Sequence, residues 1–193
     1  MKKYFVLLLP IMFLLPACNS KKKEPEKKFV SVLSLIKSQV AHVDTSLYSI
    51  VKIVTTDSLH SDTTYIPREE FRDAAKDFLS IPDLSDNKVA KYYKEETMYD
   101  ETMNRAIITY TPEDPAKTEI QKQELLVTPD AVNGDRVNNI IINSVIRNKD
   151  IFLQKNMLWQ MDKSFQVVTI MQTPGKPETT TILTVTWNDE YVQ

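Results

Sequence analysis

The 193 residues hold 26 acidic against 24 basic side chains, a formal charge of −2. That balance argues against nucleic acid as a partner, because phosphate binding needs clustered Lys and Arg. Only two glycines, Gly134 and Gly175, are present, which excludes the closely spaced glycines of phosphate loops, dinucleotide fingerprints and nucleophile elbows; a single cysteine, Cys18, excludes an internal disulfide.

Lys2 and Lys3 precede an uncharged run from Tyr4 to Leu15. The run is shorter than the roughly 20 apolar residues of a membrane-spanning helix, and a basic start before a short apolar segment describes a secretory signal peptide, residues 1–17. It ends in Leu15-Pro16-Ala17-Cys18, which resembles the lipobox of bacterial lipoproteins. The resemblance implies cleavage after Ala17, a diacylglyceryl group on the Cys18 thiol, and an acylated amine at the new N-terminus. Pro16 departs from the Ala, Ser or Gly commoner at its position. Two or three acyl chains on one residue anchor a protein stably, so a membrane is the expected partner, through Cys18.

Residues 18–28 follow as lipidated cysteine and tether. The stretch after Cys18, NSKKKEPEKK, has five lysines, two glutamates and no apolar residue. It cannot bury anything and reads as a solvated spacer, with lysines placed to rest on anionic headgroups. No acidic run of the kind some lipoproteins use for surface export follows Cys18. The expected location is therefore the cell envelope, at the inner leaflet of the outer membrane facing the periplasm. Leader and tether together carry a charge surplus of five, so the body, residues 29–193, stands at −7. That body is long enough for one domain with its own core.

In the body, Leu33, Ile36, Val40 and Val43 fall on one helical face, with Ser31 as its cap and a break near Asp44. A strand hairpin is expected over 47–66, where β-branched residues flank a polar turn. Pro67, Glu69 and Glu70 open a second helix whose buried stripe is Phe71, Ala74, Ala75, Phe78 and Leu79. A short helical turn is placed around Asp86 to Lys91. Seven segments of strand character follow: 91–98, 104–111, 119–128, 137–147, 151–161, 165–173 and 178–188. Their joints are short and rich in Pro, Asn, Asp and Gly, which connects antiparallel neighbours. The expected fold is α+β, a curved antiparallel sheet built on a C-terminal meander of five to seven strands and covered on its concave face by two helices. In architecture, though in no motif, it resembles the lipoprotein-carrier folds with an unclosed barrel and a helical lid.

The constellations that carry chemistry are sparse. Asp57, His60 and Asp62 read as a polar hairpin turn, since no second histidine lies near and metal-loop spacing is missing. His42 reads as structural. Glu95, Glu96, Asp100 and Glu101 place four carboxylates in seven residues; alternation puts Glu96 and Asp100 on one face, Glu95 and Glu101 on the other, and a charged hairpin tip accounts for them better than paired acids. A Ser-His-Asp triad has no supporting motif. No cofactor, no metal and no enzyme activity are expected. Met157, Trp159, Met161, Phe165, Met171 and Trp187 gather soft and aromatic side chains in the last three strands. Such residues fill cores and also line apolar pockets. Two function classes result: a structural or protein-interaction domain of the envelope, and an apolar-ligand or lipid binder lined by those six residues. A hydrolase is a distant third.

Overall fold

The computed structural model describes residues 28–56 and 60–188. Cys18, its lipobox and Asp57 lie outside them. The described chain begins with helix α1 (Val32–Thr45), then strands β1 (Ile50–Thr55) and β2 (Ser61–Ile66). Three short helices follow, α2 (Arg68–Ala74), α3 (Lys76–Leu79) and α4 (Asn87–Ala90). Seven strands complete it: β3 (Tyr93–Asp100), β4 (Arg105–Pro112), β5 (Ile120–Thr128), β6 (Arg136–Arg147), β7 (Phe152–Gln160), β8 (Ser164–Gln172) and β9 (Thr179–Thr186). The molecule is α+β and mostly sheet.

All nine strands form one unclosed antiparallel sheet in the order β2-β1-β9-β8-β7-β6-β5-β4-β3. Strands β3 to β9 are the expected meander, joined by turns in which Asn104, Asp162, Gly134 and Gly175 take positive φ. The N-terminal hairpin adds to the far side of the last strand, with Val51 opposite Thr186 and Thr55 opposite Ile182. Strand alternation sends one set of side chains towards the helices and the other to an uncovered face.

Ser31 caps α1, its Oγ accepting the Ser34 N–H at 3.1 Å and donating to Asp83 Oδ2 at 2.8 Å. The α1 stripe Ile36, Val40 and Val43 is fully buried, and the helix ends one residue past the expected Asp44. The helix expected from Pro67 onward is interrupted at Ala75, whose ψ of 6° leaves the α region. The interruption does not move the stripe, because Phe71, Ala75 and Phe78 remain fully buried. Two polar contacts also tie the helices to the sheet. Gln39 of α1 meets the β7–β8 turn, its Nε2 donating to Asp162 Oδ1 at 2.8 Å while its Oε1 accepts the Asp162 N–H at 2.7 Å. Lys155 of β7 reaches Asp77 of α3 at 2.6 Å.

Candidate functional site

The covered face holds most of the soft and aromatic residues singled out in the sequence. Trp159 and Phe165 stand opposite each other in register and stack with centroids 5.1 Å apart. Phe78 meets Trp159 edge-on at 5.0 Å, and Phe71 meets Trp187 edge-on at 5.1 Å. Phe71 also touches Trp159 and Phe165, so the helices set two rings into a box of three. Met157, Trp159, Phe165 and Trp187 are all at most 2% exposed.

The other two diverge. Met161, at the turn after β7, is partly buried in a recess it shares with Arg105, Arg136, Asp162 and Lys163. Met171 lies on the helix side of β8 opposite Leu153, yet it is 40% exposed. The Lys155–Asp77 pair to α3 stands one residue pair before it on the same face.

Among the described residues, several buried polar atoms beside these apolar groups have no protein partner: both amide atoms of Gln123 and the indole N–H groups of Trp159 and Trp187. Gln123 is 1% exposed and sits between Tyr110 and Ile142 on the covered side. Unpaired groups of this kind need water or a ligand to offset their desolvation. Nearby, Tyr110 Oη accepts the Val30 N–H at 3.0 Å and its ring lies 4.6 Å from Phe29. Burial first, and the Glu95 charge after it, push the Tyr110 hydroxyl up to about 12. Asp83 shows the opposite balance: burial works against its charge, but hydrogen bonds from Ser85 and Ser31 hold its carboxyl below the usual range.

The acidic tip resolves into local structure. Asp100 accepts the N–H groups of Thr102 and Met103, which closes the turn, and Glu96 pairs with Lys94 at 3.0 Å. Glu96 and Asp100 share a face as expected, but β3 ends at Asp100, so Glu101 belongs to the turn and not to the face of Glu95. Asp100 is the last residue of β3, and its carboxylate takes the backbone donors that turn the chain, so the strand's alternation stops before Glu101. His60 precedes β2 and Asp62 is its second residue, and no group of three His, Cys, Asp or Glu among the described residues is placed to hold a metal ion. His42 is exposed, with its ring edge-on to Tyr48 at 6.2 Å.

The uncovered face carries a signal that no single strand announces. Register lines run straight across it, one of them through Ile53, Thr184, Gln166, Leu158 and Ile141. Parallel to it run Thr55, Ile182, Val168, Asn156 and Asn143. Asn143 Nδ2 donates to Asn156 Oδ1 at 2.7 Å, and Ser164 Oγ donates to Gln160 Oε1 at 2.7 Å. From β2 across to β6, the outward residues are Thr, Ser, Asn, Gln, Val, Ile, Leu, Phe and Tyr; only Arg136 and Arg147, the two end residues of β6, are charged. Charge returns on β5 with Lys122 and Glu124, paired at 2.8 Å. In a chain with 26% charged residues, a solvent-facing sheet surface six strands wide without charge at its centre is a departure from ordinary surface composition. No protein-family model matches the chain, and comparison with curated proteins and with solved structures finds no match.

Proposed function

We propose that the protein is a lipid-anchored component of the bacterial envelope, held to a membrane through Cys18, whose folded domain is a non-catalytic structural or protein-interaction module facing the periplasm. The anchor rests on the Leu15-Pro16-Ala17-Cys18 stretch and the charged tether after it. On this reading the sheet is curved, with α1 and the α2–α3 pair on its concave side. The single observation that supports an interaction role is the uncharged outer face of β2, β1, β9, β8, β7 and β6. Its centre lacks charge while Arg136, Arg147, Lys122 and Glu124 stand at its margins, which is the anatomy of a protein interface. The outward residues of these six strands number about 25, within the roughly 20–30 per side of a standard interface.

The test uses the full chain in its own cells. Cysteine introduced as Gln166→Cys, at the centre of the face, is expected to react with a small maleimide about tenfold more slowly in intact cells than after detergent extraction. Glu96→Cys, on the edge strand β3, should react equally in both. Equal labelling of Gln166→Cys in both states would remove the interaction reading. In the same cells Cys18→Ala should leave an unprocessed precursor or a soluble product; partition identical to the wild type would remove the anchor.

A second reading, a periplasmic apolar-ligand or lipid binder, draws support from the unpartnered Gln123, Trp159 and Trp187 groups beneath the helices. The interaction reading expects a native mass spectrum of the gently extracted protein to show the bare chain with its anchor. A further defined mass that disappears on denaturation would favour the binder.

A further inference from the structure

An unclosed sheet leaves two edges, and here they are β2 and β3. The two are treated differently by the sequence. β3 carries Lys94, Glu95, Glu96 and Asp100, the charges with which proteins blunt an edge against pairing. β2, Ser61–Ile66, carries one, Asp62, among threonines and a tyrosine of high strand propensity. All of β2 except Ile66 is exposed, Tyr65 by 76%.

The phase of its hydrogen bonding is fixed by the hairpin. The Thr56 N–H bonds to the His60 carbonyl at 3.3 Å. Counting along the antiparallel register, the pairs 54/62, 52/64 and 50/66 then exchange the bonds that hold β2 to β1. The N–H and C=O groups of Ser61, Thr63 and Tyr65 point the other way, out from the edge.

We propose that this edge is the docking site for a second copy of the same chain, with β2 pairing antiparallel to β2 about a two-fold axis at Thr63. Outward-pointing residues can pair only with outward-pointing residues, so Thr63 meets Thr63 of the other copy and Ser61 meets Tyr65. In that register Asp62 falls opposite Thr64 and the two acids do not confront one another. Each body carries −7, so two copies approach best where like charge is thinnest, and of the two edges β2 is the thinner. A foreign extended peptide would draw its specificity from pockets for alternate side chains, whereas β2 is exposed on both faces from Ser61 to Tyr65. A self-complementary strand needs no such pockets. The pairing would also run the uncharged outer face of one copy into that of the other. It does not depend on what that face binds.

The experiment is sedimentation equilibrium of the full chain in a mild detergent, alongside Thr63→Pro. Proline removes an N–H that β1 does not use, so the circular dichroism and the thermal midpoint, read at a concentration where the parent chain is monomeric, should hold while dimer affinity falls by about tenfold or more. Thr63→Cys should cross-link to a dimer on mild oxidation, above the background set by Cys18 in the parent chain, because facing residues in such a pair have Cα atoms about 5.5 Å apart. Thr109→Cys, on the outer face of β4, should not. A parent chain that stays monomeric at every concentration, a Thr63→Pro chain that dimerises as tightly as the parent, or equal cross-linking of the two cysteine variants would each overturn the proposal.

Discussion

Phe71→Ala lowers the free energy of unfolding by about 3–5 kcal/mol, the range for truncating a fully buried aromatic residue. The physical reason is where the ring sits. Phe71 is the fully buried residue of α2 and touches Trp159, Phe165 and Trp187, which come from β7, β8 and the residue after β9. Removing it opens a void against three rings that are themselves fully buried and held by register, so they cannot collapse inward to fill it. Small domains are stable by roughly 5–15 kcal/mol, so the variant should sit near the edge of folding at growth temperature. Urea denaturation followed by tryptophan fluorescence measures it. A loss under about 1 kcal/mol would mean that the box relaxes around the void and that the helices are not wedged into the sheet by this ring.

Gln39→Ala is the second large effect, about 1–3 kcal/mol. Gln39 is 9% exposed and makes two hydrogen bonds to one residue, Asp162. Its removal takes two hydrogen bonds, each contributing about 0.5–1.5 kcal/mol, from an exposed turn residue already held at φ 57°. The two bonds separate in a double-mutant cycle with Asp162→Gly. Glycine keeps the N–H and accepts the left-handed backbone without cost, so in that background only the bond to Gln39 Oε1 is left to lose. Gln39→Ala should then cost about 0.5–1.5 kcal/mol less than it does in the parent chain. An equal cost in both backgrounds would show that the carboxylate bond contributes nothing.

Most element positions were legible because they depend on local chemistry. Ser31 as cap, the break near Asp44, and the short joints rich in Pro, Asn, Asp and Gly are each set by residues within a few positions of one another. Of the soft and aromatic residues named in the last strands, Met157, Trp159, Phe165 and Trp187 are buried. What was not legible depends on partners far along the chain. Nothing in Val51 to Thr55 says that β9 is its neighbour. Nothing in Met171 says that it is left exposed on the helix side. The bare centre of the outer face emerges only when residues from six strands are laid side by side in register, because no one of those strands is unusual alone. Of the soft and aromatic cluster, the side chains could be named, but which of them helices would cover could not; the outer face was not visible at all.

The placement of β1 beside β9 has a consequence in time. Val51 pairs with Thr186, and Gln39 bonds to a residue 123 positions later. A chain that emerges from its N-terminus cannot finish the sheet, seat α1 or bury Ile50 until nearly the whole sequence is present. Contacts at such separation are slow to form. Until then β1 keeps an unpaired flank and α1 an uncovered apolar stripe, the surfaces on which nascent chains aggregate or are held by chaperones. The arrangement makes folding wait for the last strand, which suits a chain that, with the proposed anchor, is threaded unfolded across a membrane.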